Sequence, residues 1–226
     1  FCFEESLRAY DNTGNLPISI IFADLNGLKL TNDIFGHSSG DMMIIKAAEV
    51  LQSACRANDI VARIGGDEFI ILLPNAERAD AEKVVSRIKS ELAKQKFSTI
   101  KLSIALGYDT KNGMYQNVEH IMKNAEDEMY KEKAINRKKI QREMIDAIIT
   151  NLHEKSPREK VHSENVSALC EKLGQAMGLP KKDIKRLKDA GYYHDIGKVV
   201  LEKTIINNEN EISEHRIKAM QQHPVA

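Results

Sequence analysis

Apolar and polar positions along the chain follow two periods. Ile18-Ser-Ile-Ile-Phe-Ala-Asp24 is a nearly unbroken apolar run that ends on a carboxylate, which predicts a buried strand. Before it, Phe3, Leu7 and Tyr10 recur at helical spacing and Asp11 to Asn15 reads as a turn. After it, Asn26-Gly27 turns the chain and a short helix runs up to Gly36. Ser38 or Ser39 is placed to cap the next helix, whose apolar face is Met43, Ile44, Ala47, Val50 and Leu51. Two strands, 59–64 and 68–73, are joined at Gly65-Gly66, a favoured pair for a two-residue hairpin turn. Pro74-Asn75 breaks the chain, and a helix over 79–95 carries Ala81, Val84, Val85, Ile88 and Leu92. A strand over 99–108 and a helix over 118–132 complete the order β-α-α-β-β-α-β-α.

That order predicts an α+β domain, a mixed and mainly antiparallel sheet flanked by helices. No GxGxxG or GxxxxGK[ST] loop is present, which argues against a doubly wound fold. From about residue 140 the pattern becomes helical throughout. Ile140, Met144, Ile148 and Leu152 form one stripe. Val166, Leu169, Leu173 and Met177 form a second, stopped at Gly178-Leu-Pro180. Ile184, Leu187 and Tyr192 begin a third, stopped by Gly197. We therefore expect one domain over 1–139 and a second, all-α domain over 140–226, with Arg137-Lys138-Lys139 as a solvated hinge.

Composition narrows the function classes. The formal net charge is zero, which gives no general affinity for nucleic acid or anionic membranes. No apolar run reaches the roughly 20 residues of a membrane span. The three cysteines have no CxxC spacing and fit reduced thiols, so a cytoplasmic location is expected. The abrupt start at Phe1 and the end at Ala226 lead us to expect a fragment of a longer protein.

Chemistry concentrates at the hairpin. Asp67 and Glu68 follow the glycine pair, and Asp24 ends the first strand. If these strands are sheet neighbours the three carboxylates converge, and adjacent carboxylates are costly to hold together without a cation. Hard oxygen ligands suit Mg²⁺ or Mn²⁺, with substrate phosphates completing the shell. Glycines tolerate positive φ and let a ligand approach the backbone.

The segments Asp24-Leu-Asn-Gly-Leu-Lys29, Asn32-Asp33, Gly36-His37-Ser-Ser-Gly40-Asp41 and Gly65-Gly66-Asp67-Glu68-Phe69 together resemble the GGDEF diguanylate cyclase family over residues 1 to about 139. The resemblance implies a nucleotidyl cyclase-like fold. It also implies condensation of two GTP into cyclic di-GMP and pyrophosphate across a homodimer. Asp24 and Glu68 would bind the metals with the Leu25 carbonyl, and Asp67 would act as metal ligand or proton acceptor. Asn32 and Asp41 would read guanine, a carboxylate accepting from two N–H groups of that base. Gly65 and Gly66 would admit the nucleotide, and Lys29 would reach its phosphates. The run from Ala125 to Arg137 resembles the family's closing helix, with Lys133 and Arg137 on the triphosphate. Asn136 stands where the family usually has glycine, and Asn also tolerates the left-handed conformation. Arg56-Ala-Asn-Asp59, in register with Gly65, resembles the family's RxxD product-inhibition site. The family's D-x-L-T-G-L-x-N-R segment is not in this sequence, so the domain's N-terminal edge is expected to be missing.

In the second domain, His162, His194-Asp195-Ile-Gly-Lys198 and His223 resemble the HD phosphohydrolases, specifically the HD-GYP branch that hydrolyses cyclic di-GMP. The resemblance implies metal ligation by His162, His194, Asp195 and His223, with iron or manganese in an intact domain. Lys198 would assist phosphate or metal-bound hydroxide. The HD part is expected to be truncated and without hydrolase activity here. Glu154 and Glu159 are candidate acids without an assigned role. The alternative function is a non-catalytic module that binds GTP or cyclic di-GMP and controls the HD domain. It would call for a damaged metal or base set, which this sequence does not have.

Overall fold

The computed structural model describes residues 3–97, 100–201 and 206. The chain divides into two compact units, the first formed by 1–32 and 36–142 and the second by 33–35 and 143–226.

The first unit is built on a four-stranded sheet: β1 (Ile18–Leu25), β2 (Ile60–Arg63), β3 (Glu68–Leu73) and β6 (Ile104–Lys111), in the order β2-β3-β1-β6. Each of its pairs is antiparallel. Successive strand residues face opposite sides of a sheet, and here both sides are covered. Ile21, Ala23, Leu25, Phe69, Ile71 and Leu73 pack on one side with α3 (His37–Ser53) and α4 (Arg78–Lys94). Ile18, Ile20, Phe22, Ile70 and Leu72 pack on the other with α1 (Phe3–Tyr10) and α5 (Val118–Lys155). Double burial explains why β1 reads as a continuous apolar run rather than an alternation. The edge strand β6 meets α5 closely: a Cβ on Gly107 would lie 2.1 Å from the Ala125 carbonyl oxygen. There Glu132 accepts from the Leu106 N–H (3.0 Å).

Several local expectations change. The helix after Gly36 starts at His37, with Gly36 (φ 83°) as its N-cap, so neither Ser38 nor Ser39 caps it. The 64–67 loop is longer than a two-residue turn, and it closes with Ile64 N–H donating to the Glu68 carbonyl. Neither Gly65 nor Gly66 has positive φ; among the described glycines Gly27, Gly36 and Gly178 do. β2 is half-exposed because it lies at the sheet edge. The strand expected over 99–108 divides into the short β5 (Ile100–Lys101), paired with β4 (Lys96–Phe97), and β6; residue 99 lies outside the described residues. α5 runs unbroken through residues 132–140, because no Gly or Pro interrupts it. Asn136 is therefore helical, not left-handed, and Arg137, Lys138 and Lys139 lie within the same helix.

In the second unit, Met144, Ile148, Ile149 and Leu152 of α5 are buried. Pro157 opens α6 (Pro157–Ala176), and the Ser156 Oγ caps it by accepting from the Glu159 N–H. Gly178, at φ 68°, follows its end. α6 and α7 (Lys181–Tyr193) approach through small residues: Gly174 faces Ile184, Gly191 faces Cys170, and Ser167 Oγ donates to the Lys188 carbonyl. This choice of face overturns the expected stripe. Leu169, Leu173 and Met177 are 66%, 53% and 63% exposed.

Candidate functional site

Asp24 and Glu68 are direct register partners across the β1–β3 pair and so share the α5 side of the sheet. The Asp24 carboxylate is buried. Its Oδ2 accepts from Lys133 Nζ at 2.5 Å, while its Oδ1 is buried without a hydrogen-bond partner. Burial raises the Asp24 pKa and the hydrogen bond from Lys133 opposes that, while the charge of Asp67 raises it further. Glu68 accepts at Oε1 from the Tyr130 hydroxyl (3.2 Å), and the charge of Glu68 in turn raises the Tyr130 pKa. The Asp67 carbonyl accepts from the Leu25 N–H at 2.9 Å, which ties the hairpin loop to the end of β1. Arg63 donates through Nε and a terminal nitrogen to the Gly66 carbonyl (3.1 and 2.7 Å) and holds the loop from behind. No atom lies within 4 Å of where a Gly66 Cβ would stand, so the bare backbone is open to approach.

The structure thus joins Asp24, Glu68 and Lys133 and adds Tyr130, which sequence reading missed. The three carboxylates do not gather as tightly as expected: the one group among the described residues with all its ligand atoms within 4.8 Å of one another lies in the second unit. Lys133 is on Asp24, and the exposed Arg137 follows one turn later on α5. Lys29 and Asp41 are exposed. Asn32 has a buried Oδ1 without a partner, and a Cβ on Gly40 would lie 1.8 Å from that oxygen. Gly40 is therefore the floor on which the Asn32 amide rests. Arg56 and Asp59 form a closed turn, the Arg56 N–H donating to Asp59 Oδ2 at 2.6 Å and the Asp59 N–H to the Arg56 carbonyl at 3.1 Å.

In the second unit, His162 Nε2 lies 3.2 Å from His194 Nε2 and 3.4 Å from Asp195 Oδ2, and His194 Nε2 lies 3.1 Å from the same oxygen. His194 caps the end of α7 and Asp195 precedes the 3₁₀ turn Ile196–Val200 as its N-cap, so the pair does not lie on one regular helix. The His194 Nδ1–H donates to the Gly191 carbonyl at 2.8 Å, which leaves the Nε2 lone pair directed at the cluster. Lys198 bridges Asp195 (2.7 Å) and Glu159 (2.9 Å). Burial disfavours its ammonium, but the two carboxylates outweigh this and raise its pKa. Glu159 thus gains a partner, Glu154 is exposed, and His223 lies outside the described residues.

Residues 2–139 match the family model for "Diguanylate cyclase, GGDEF domain". The chain belongs to the GGDEF family. Residues 160–224 match the HD domain, so a GGDEF domain is followed by an HD domain. The GGDEF part is similar to the bifunctional diguanylate cyclase/cyclic di-GMP phosphodiesterase MucR of Pseudomonas aeruginosa, with 37% identity over 116 residues, 50% of this chain and 17% of the relative. It is also similar to the response regulator PleD of Caulobacter vibrioides, with 30% identity over 139 residues, 59% of this chain and 31% of PleD. The chain therefore spans less than a third of either relative. Among solved structures, the GGDEF domain of YfiN (TpbB) from Pseudomonas aeruginosa aligns at TM-score 0.51 and 28% identity, covering 57% of this chain and 83% of that one. The GGDEF domain of DgcB from Caulobacter crescentus, solved with c-di-GMP, aligns at 0.53 and 21%, covering 58% and 82%, and shows the shared fold.

Proposed function

We propose that this GGDEF domain is a diguanylate cyclase that condenses two GTP into cyclic di-GMP and two pyrophosphates. One observation carries the reading: the buried, unpartnered Oδ1 of Asp24 stands in strand register with Glu68. A buried carboxylate oxygen without a donor, beside two further acids, fits a divalent cation. Asp24, the Leu25 carbonyl, Glu68 and Asp67 would hold Mg²⁺ or Mn²⁺, which would supply positive charge at the substrate phosphates.

The chain's own residues do the remaining work. Asn32 and Asp41 accept from the guanine N–H groups, and the open backbone at Gly65-Gly66 admits the nucleotide. Lys29, Lys133 and Arg137 bind the phosphates, Lys133 by leaving Asp24. Asp67 accepts the proton of the 3′-hydroxyl. The 3′-oxygen of one GTP then bonds to the α-phosphorus of the other, the bond to the β-phosphate oxygen breaks, and pyrophosphate leaves. The same event in the opposite sense closes the ring. Each site holds one GTP, so two copies of the chain must face each other. The rate per chain should therefore rise with chain concentration and level off once the dimer is complete. A per-chain rate independent of concentration, in protein that stays monomeric, would exclude this two-site scheme. A dimer that binds GTP and makes no cyclic di-GMP would instead be the regulatory module.

Arg56 and Asp59 are proposed to bind the product. Domains are proposed as 1–139, the GGDEF domain, and 140–226, a metal-dependent cyclic di-GMP phosphodiesterase domain of the HD-GYP type. There His162, His194 and Asp195, together with His223, would hold the metal, iron or manganese, and Lys198 would contact phosphate. None of the described helices is long and apolar enough to cross a membrane. We place the chain in the cytoplasm.

A further inference from the structure

Asp195 already holds a cation of the chain's own. Its Oδ2 accepts from Lys198 Nζ at 2.7 Å, and the same oxygen lies 3.4 Å from His162 Nε2 and 3.1 Å from His194 Nε2. A metal ion entering between these three groups competes for the lone pair that the ammonium now uses. The ammonium does not simply turn out to water, because the Lys198 side chain is only 13% exposed. A buried ammonium beside a divalent ion, without an anion to itself, is strongly disfavoured.

Glu159 supplies that anion. Its Oε2 accepts from Lys198 Nζ at 2.9 Å, and its side chain is 10% exposed. Glu159 and His162 stand three residues apart on α6 and so share a face of that helix. The run Ser156-Pro-Arg-Glu159 has the pattern of a capping box, in which the glutamate reaches back to the Ser156 N–H. Here the Ser156 N–H donates instead to the Leu152 carbonyl, at 2.9 Å. The Glu159 carboxylate is thereby released from the cap and meets Lys198. Lys198 is thus held from two sides, by Asp195 before the 3₁₀ turn and by Glu159 on α6. Glu159 lies outside the residues that carry the HD resemblance.

We infer that Glu159 is a positioning residue of this metal site, the carboxylate that keeps the Lys198 ammonium when a metal ion takes Asp195. The inference rests on the proposed metal-binding role of His162, His194 and Asp195. With Glu159 in place, each cation has a carboxylate. Without it, Asp195 alone faces both, and the metal ion is bound less tightly.

The test is Mn²⁺ binding to the full chain, read by equilibrium dialysis with elemental analysis. Every sample carries Asp24→Asn, so that the acidic site on the sheet does not report. Glu159→Gln keeps the shape of the side chain and the N–H that Ser156 caps, and removes only the charge. It should weaken Mn²⁺ binding roughly ten- to a hundredfold. Adding Lys198→Met removes the stranded ammonium and should restore the affinity to within about threefold. A glutamate needed only for folding would not be rescued by deleting its partner. Circular dichroism melts set a dialysis temperature at which each variant is folded. Undiminished Mn²⁺ binding in Glu159→Gln would overturn the inference. So would a loss that Lys198→Met does not repair, which would make Glu159 a metal ligand itself. Undiminished binding in His194→Ala would instead remove the metal-site reading on which the inference rests.

Discussion

Asp24 and Lys133, 109 residues apart in sequence, meet at 2.5 Å where β1 ends beneath α5. The contact satisfies one carboxylate oxygen and leaves the other, Oδ1, buried without a partner. The ion pair therefore does not balance the charge at this place, and a cation has something to gain there.

The first consequence concerns pH. Burial and the neighbouring acids hold the Asp24 pKa above its ordinary value. The folded chain then keeps a proton that the unfolded chain has released. Stability contributed by the protonated form is lost as pH rises from the ordinary carboxylate range through the raised value. Without metal, Asp24→Asn should raise Tm at pH 7, by about 2–4 °C for each kcal/mol recovered in a chain of this size. Added Mg²⁺ should raise Tm of the unsubstituted chain but not of Asp24→Asn. Differential scanning calorimetry checks both; a lower Tm for Asp24→Asn would contradict the reading of Asp24 as a strained carboxylate.

Lys133 is expected to exchange Asp24 for the triphosphate. Lys133→Met should weaken GTP binding about tenfold, the scale of one charge-assisted hydrogen bond. Calorimetry with a non-hydrolysable GTP analogue measures it; unchanged affinity would leave Lys133 as a partner of Asp24 only.

Gly40 tests Asn32 without touching it. A Cβ there would meet the Asn32 Oδ1 at 1.8 Å and Cγ at 2.8 Å. The end of a side chain can yield, so Gly40→Ala should fold while displacing the amide. GTP affinity should fall about tenfold with ATP affinity little changed. Equal loss for both nucleotides would show that the substitution damaged the phosphate side instead.

In the second unit, His162 and His194 with Asp195 should bind a transition metal ion, and His194→Ala should reduce Mn²⁺ or Fe²⁺ affinity by at least about tenfold. Equilibrium dialysis with elemental analysis reads this directly. An unaffected affinity would mean that the cluster is held by Lys198 and hydrogen bonds alone.

Part of this was legible in the sequence. The apolar run ending at Asp24 and the Gly-Gly-Asp-Glu turn placed two carboxylates at strand ends, and strand register then made them neighbours. Lys133 on Asp24, Glu132 on the β6 edge and Tyr130 on Glu68 were not legible, because each joins segments far apart in the chain. The stripe on α6 misled because Ser167 and Gly174 let α7 come close on the other face. Small residues carry little hydrophobic signal, yet they decide which face packs. Asn136 misled for a local reason, since nothing around it stops α5.

The central claim is that Asp24 and Glu68 form the metal-dependent half of a cyclase site. Its most direct test is product formation from GTP and Mg²⁺ by the dimeric chain, beside Glu68→Gln at the same dimer concentration. The unsubstituted chain should yield cyclic di-GMP and pyrophosphate, and Glu68→Gln should lose at least on the order of 10²-fold in rate. Equal rates for the two, or no cyclic di-GMP from a GTP-bound dimer, would contradict it.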